Sequence, residues 1–193
     1  MNAVAQTDAS QHLQSDLYSF LSMTMRPPSA EFLDDDYFDA FDTLLSTLGL
    51  ETERATAHGW RDEGVTPLRT LTAEYVRLFE GAKTPPLVPL EGSAWMGGAD
   101  AQTKSADETR QFYRAHGFDL RPEASPPDHI QYELEFLAVL TRKGDLDAEA
   151  EFLKSYFRPW FGVFRDEALQ KVSHPFYRVA LELIHFYTKE EEQ

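Results

Sequence analysis

Ser125-Pro126-Pro127-Asp128-His129-Ile130-Gln131-Tyr132-Glu133-Leu134-Glu135-Phe136-Leu137-Ala138-Val139-Leu140 is the stretch from which the fold is read. Two prolines lead into a strongly apolar helix. At roughly 100° per residue, Ile130, Leu134 and Leu137 share one face, and Tyr132, Phe136 and Val139 lie nearly opposite. A helix apolar on two sides is usually buried between other elements. This segment is therefore expected to be the central strut of the fold. A residue before proline is pushed out of the α region, so Ser125 and Pro126 should be extended and the helix should start late. Asp128 as N-cap with Gln131 at N3 makes a capping-box pattern, and the pair Ser125 and Asp128 is an earlier alternative. In either register Asp128 and His129 stand at the positive end of a buried helix. That end favours a carboxylate and disfavours a protonated imidazole.

The remaining composition fits a globular chain. Its 193 residues are 42% hydrophobic and 13% aromatic, enough for one domain with a real core. There is no cysteine, which removes disulfides, thiolate metal sites and cysteine nucleophiles and fits a reducing compartment. The net charge of -15, from 33 acidic and 18 basic residues, argues against nucleic acid as a partner and favours encounter with a basic one. No apolar run reaches the ~18 residues of a membrane span. The segment Met1-Asn2-Ala3-Val4-Ala5-Gln6 has no basic region followed by an apolar stretch, so it does not read as a secretory signal, and a cytoplasmic location is expected.

Along the chain, Leu13, Leu17, Phe20 and Leu21 mark a first helix after capping candidates Thr7, Asp8 and Ser10. Ser29 to Leu33 reads as a short helical turn. Asp34, Asp35 and Asp36 suit the start of a helix carrying Phe38, Phe41, Leu44, Leu45 and Leu48, with Gly49 as its stop. Residues 51–64 suggest a short helix and turn. Thr66-Pro67 opens a helix with Leu68, Leu71, Tyr75, Leu78 and Phe79 on one stripe. Ser105 and Glu108 form another capping box before a helix to Gly117. Asp147 opens a helix with Phe152, Leu153 and Tyr156. Arg158-Pro159 restarts one with Trp160, Phe161 and Phe164, and Ser173 and Pro175 cap a last one with Phe176, Val179, Leu183 and Ile184.

Between these helices the pattern breaks at Pro85-Pro86-Leu87-Val88-Pro89-Leu90-Glu91-Gly92-Ser93-Ala94-Trp95-Met96-Gly97-Gly98. Prolines keep such a segment extended and pre-ordered. Its large apolar side chains mark an ordered loop packed on the domain, anchored by Trp95. No segment shows sustained strand alternation, and no internal repeat is present. The expectation is a single all-α domain, residues 1–193, of about eight to ten helices. The loop around residues 82–104 is a candidate hinge between two helical halves.

Motifs for catalysis are sparse. Asp128 and His129 are residue types that a hydrolytic triad would use, but no Gly-x-Ser-x-Gly and no nucleophile context accompany them. Gly97-Gly98 lacks the Walker continuation, so no phosphate loop is expected. His129 and Glu133 lie one turn apart, and Glu182 and His185 have a ligand-like offset, but a di-iron bundle needs its motif repeated on two helices. A helical metal- or cofactor-binding enzyme using His129, Glu133 and His185 is the alternative class. Aromatic residues beside a polar helix start would also suit a groove for a peptide with an apolar stretch and a basic end.

Three segments, in order, resemble the TorD/DmsD family, chaperones related to the NarJ group. They are Glu74-Tyr75-Val76-Arg77-Leu78-Phe79-Glu80-Gly81, the loop residues Pro86, Pro89, Glu91, Ser93 and Trp95, and Pro127-Asp128-His129-Ile130 with Glu133-Leu134. The chain carries Trp95 where tyrosine or phenylalanine would serve as well, and Gly97-Gly98 follows it. The resemblance implies an all-helical, non-enzymatic cytoplasmic chaperone. It would bind the twin-arginine signal peptide of a molybdopterin oxidoreductase precursor and delay export until the cofactor is inserted. It further implies a peptide site bordered by Asp128 and His129, with Tyr75, Leu78, Phe79, Pro86, Glu91 and Trp95 nearby. No bound metal or cofactor is expected. Either a monomer or a dimer that exchanges helices through the hinge fits the family.

Overall fold

The computed structural model describes residues 2–30, 34–62, 67–81, 85–97, 99–121, 124 and 126–190. Among them the chain forms nine α-helices: α1 (Asn2–Thr24), α2 (Asp35–Thr47), α3 (Glu51–Asp62), α4 (Pro67–Tyr75), α5 (Ala99–Ala115), α6 (Ile130–Lys143), α7 (Leu146–Phe152), α8 (Arg158–Lys171) and α9 (Pro175–Thr188). Two single π-helical turns, Val76–Glu80 and Leu153–Phe157, prolong α4 and join α7 to α8. A 3₁₀ turn, Gly92–Trp95, lies in the proline-rich loop. The fold is all-α. The described residues contain no strand, only one isolated antiparallel bridge.

Helix α6 is the strut its pattern foretells. Ile130, Leu134, Phe136, Leu137 and Leu140 are all fully buried. Helix α1 is its most extensive neighbour, and the approach is close because small groups meet: the Ser15 hydroxyl donates to the Ala138 carbonyl at 2.9 Å. On its other side Phe136 enters an aromatic nest with Phe112, Tyr113, Phe118 and Phe152, in which the Phe136–Tyr113 centroids are 4.6 Å apart. Edge-on contacts of this kind add stabilisation beyond area burial. A buried carboxylate ties three helices. Glu149 on α7 accepts from Tyr18 and Gln14 of α1 and from Thr141 of α6. The exit of α6 is a Schellman turn: Gly144 is left-handed, and the Asp145 N–H reaches back to the Leu140 carbonyl at 3.0 Å.

Several helix starts differ from the sequence expectation. Helix α1 already begins at Asn2, so Thr7, Asp8 and Ser10 lie within it. Helix α5 begins at Ala99, which shortens the candidate hinge and leaves Ser105 inside the helix. Alanine and glutamine are good helix formers, and propagation from them costs less than a fresh nucleus at Ser105. Asp145, not Asp147, caps α7, accepting from the Ala148 N–H. The last helix starts at Pro175, but its cap is His174 rather than Ser173. Asp34 does cap α2, accepting from the Tyr37 N–H at 2.9 Å. Thr66, Ser125 and most of the turn expected at 29–33 lie outside the described residues.

Removing the aromatic at the centre of the nest tests this architecture. Phe136→Ala should lose about 3–5 kcal/mol of unfolding free energy in urea titrations. A loss below about 1 kcal/mol would mean that α6 is not the core strut.

Candidate functional site

Helix α6 begins one residue later than a cap at Asp128 would give. His129 is the N-cap, in extended backbone, and its Nδ1 accepts from the Gln131 N–H at 3.2 Å. An accepting Nδ1 carries no proton, so the imidazole is the neutral Nε2–H tautomer. The Asp128 carboxylate is engaged by a neighbouring segment instead of capping the helix. Residues 86–97 cross the helix start as a strap, and the Ser93 N–H donates to Asp128 Oδ2 at 2.6 Å.

Main-chain bonds hold the strap along its first half. The Val88 N–H donates to the Leu78 carbonyl at 2.9 Å, the Ile130 N–H to the Leu90 carbonyl at 2.9 Å, and the Gly92 N–H to the Asp128 carbonyl at 2.8 Å. Glu91 and His129 thereby form the one antiparallel bridge among the described residues. The Trp95 indole closes the loop on itself by donating to the Pro89 carbonyl at 3.0 Å, and its ring stands edge-on to Phe164. Trp95 is the anchor its sequence suggests.

Beneath the strap lies an acidic layer. Asp128 and Glu133 are each 1% exposed and His129 is 8% exposed. Glu133 Oε2 accepts from the Trp160 indole N–H of α8 at 3.2 Å. The other carboxylate oxygen, Asp128 Oδ1, is buried with no hydrogen-bond partner. Burial, reinforced by the charge of Asp128, pushes the Glu133 carboxyl well above the usual range. Glu91 moves the same way for the same two reasons. Burial lowers His129 to about 4, against the opposing pull of Asp128.

Of the residues the resemblance singles out, Asp128, His129, Glu91 and Trp95 converge here. Tyr75, Leu78 and Phe79 are fully or nearly fully buried in and before the π turn after α4; they reach the strap through the Leu78 carbonyl and form core wall, not open surface. Pro86 is half-buried at the near end of the strap. An open cleft of about 560 Å³ lies beside the helix start, lined by Arg26, Phe118, Leu120, Tyr132 and Glu135 among others. Its Tyr132 ring sits 5.8 Å from the His129 ring, so the buried pair is one residue in from solvent-accessible space. Residues that sequence reasoning missed are Gly92, Ser93 through its N–H, and Trp160. Glu133 carried a readable signal: it falls within the apolar stripe of Ile130, Leu134 and Leu137, where a charge must be buried with a partner.

A second helix start repeats the device. His174 Nδ1 accepts from the Phe176 N–H at 3.2 Å, and Glu74 accepts from the Ser173 and His174 N–H groups. Burial raises the Glu74 carboxyl, but Arg77 and those two N–H groups outweigh it and hold it low. There an arginine balances the acid. The Asp128–Glu133 layer has no such cation among the described residues. Those residues also contain no group of three or more His, Asp or Glu arranged to hold a metal ion. His185 lies apart, in a cleft between α3 and α9.

The strapped helix start belongs to an all-helical domain. A crystal structure of a proposed redox enzyme maturation protein from Archaeoglobus fulgidus matches with a TM-score of 0.61, covering 91% of this chain and 94% of that one at 24% identity, a likeness of fold. The sequence profile of the nitrate reductase delta subunit family matches residues 34–166, which include the strap, the start of α6 and Trp160. The chain belongs to that family, the NarJ-related group its motifs resemble. No protein of curated function matches it.

Two outcomes test the geometry. A Cβ on Gly92 would sit 2.7 Å from Trp160 Nε1, so Gly92→Ala should cost about 1–3 kcal/mol in urea unfolding, and less in a Trp160→Phe background. His129 is lower in the folded chain than its ordinary 6.5, so its contribution is fully present above pH 6.5 and is lost as pH falls towards 4. Over that window the wild type should lose on the order of 3 kcal/mol more stability than His129→Asn, which keeps a capping acceptor that does not titrate. Parallel pH profiles would overturn the assignment.

Proposed function

We propose that this protein is a cytoplasmic maturation chaperone that grips the twin-arginine signal peptide of a molybdopterin oxidoreductase precursor until its cofactor is in place. The single observation that carries this reading is Asp128: a buried carboxylate with one oxygen held by the strap and the other without a donor. A guanidinium supplies the fork of N–H donors that such an oxygen lacks, and charge-assisted bonds of this kind are the strong ones. The apolar part of the signal would lie along Phe118, Leu120 and Tyr132 in the neighbouring cleft. Admission of an arginine requires the strap to shift from Asp128, with Glu91, Pro86 and Trp95 moving and Tyr75, Leu78 and Phe79 remaining as the floor. The net charge of -15 would speed encounter with a basic peptide and weaken binding as salt is added. Membership of the family supports the chaperone role, and no described helix is long and apolar enough to cross a membrane.

Calorimetric titration with a twin-arginine signal peptide, and with its Lys-Lys counterpart, tests the reading. The arginine peptide should bind more tightly, and Asp128→Asn should weaken it by about tenfold or more, since hydrogen bonds to charged groups contribute roughly 1.5–3 kcal/mol. Equal affinity for wild type and a combined Asp128→Asn, His129→Ala variant, both shown folded by circular dichroism, would remove these residues from the site.

A further inference from the structure

Asp128 and Glu133 present a charge problem that the rest of the molecule does not solve. Each carboxyl is 1% exposed. Among the described residues no lysine or arginine is bonded to either of them. Their hydrogen-bond donors are a backbone N–H from Ser93 and an indole N–H from Trp160, both neutral. Asp128 Oδ1 has none. Two carboxylates in one buried layer without a cation cost several kcal/mol more than one carboxylate and one carboxylic acid. Elsewhere the chain balances a buried acid at a helix start, where Glu74 is paired with Arg77 at 2.8 and 2.9 Å. The same device without its arginine points to a cation that comes from outside.

We infer that the Asp128–Glu133 pair holds one proton while the site is empty and releases it to solvent when a guanidinium takes its place, so that binding of a cationic peptide is coupled to proton release. This rests on the function proposed above and adds its regulation. The balance is simple: the Glu133 carboxylic O–H bond breaks, its proton leaves to water, and two carboxylates then face the incoming positive charge. Several ionisable groups face the pair. Glu91 comes from the strap, His129 from the turn before α6 and Tyr113 from α5; α8 contributes the non-titrating Trp160. Glu91, itself raised by burial and by the charge of Asp128, favours retention of the proton in its ionised form. His129 is neutral above its lowered pKa of about 4 and leaves the balance unchanged at neutral pH. Tyr113 is raised by burial first and then by Glu133 and Asp128, and stays a neutral phenol that donates to the Pro127 carbonyl. Proton uptake thereby serves as the placeholder for the peptide, and a more alkaline medium strengthens the grip.

The experiment has two arms. Infrared spectra of the peptide-free protein at pH 7, wild type against Glu133→Gln, should show a buried carboxylic C=O band that the variant lacks; a wild type without that band overturns the inference. Calorimetry with the twin-arginine peptide in two buffers of different ionisation heat should give close to one proton released by wild type and close to none by Glu133→Gln. Wild-type affinity should rise by up to about tenfold per pH unit between pH 6 and 8, while that of the variant stays level. Peptide binding by wild type with no proton released overturns the exchange and leaves the peptide reading standing. A wild type that shows the band but binds no twin-arginine peptide sinks the peptide reading, and the exchange with it.

Discussion

The structure depends on one constraint: two carboxyl groups are buried at the start of the central helix under backbone that was brought there to meet them. The strap cannot be understood without the acids, nor the acids without the strap. Ser93 lends Asp128 an N–H, and Asp128 returns its carbonyl to Gly92. Ile130, the first residue of α6, gives its otherwise unpaired N–H to Leu90. A helix start has four such orphan groups, and here a neighbouring segment takes one of them while the His129 side chain takes another. Local structure, tertiary packing and charge are settled at a single place.

That place is not optimised for stability. A buried polar oxygen without a partner lowers the folding free energy by roughly 1–3 kcal/mol. The chain tolerates this because the surrounding core is dense in aromatic rings and α6 is sealed on nearly every side. Destabilised polar groups inside a well-packed frame are the usual mark of a site whose favourable state includes a ligand. The contrast with Glu74, whose needs are fully met by Arg77, Ser173 and His174, makes the point within one molecule.

Much of the fold was legible in the residues. The two-sided apolar pattern of 130–140 located the strut, Asp34 located the start of α2, and the prolines with Trp95 announced an ordered loop. The site was read only in part. Asp128 and His129 stand together at the helix start, but the cap is His129 and not the Asp128 that the pattern suggests, because capping preferences describe a helix end in solution and not one met by another segment. The pairing of Glu133 with Trp160 spans 27 residues of sequence, and no periodicity relates them. The closeness of Gly92 to that indole is invisible in a sequence, where a glycine in a loop looks like freedom rather than lack of room. The burial of Tyr75, Leu78 and Phe79 follows from the stripe that placed them on one face, though their motif suggested contact with a ligand.

The turn after α4 has a consequence for how this domain tolerates length changes. Residues 76–80 are wound with one residue more than an α-helical turn needs, so that the Gly81 N–H bonds to the Val76 carbonyl at 3.0 Å. Deleting a single residue there would let ordinary winding return with the following chain in nearly the same direction, whereas forcing all five residues into ordinary winding would swing it by roughly 100° around the helix axis. In that second case the Leu78 carbonyl would aim away from Val88, and the strap would lose its upstream mooring while every helix remained intact. The wider winding thus sets the angle at which a loop more than ten positions downstream arrives over the acids.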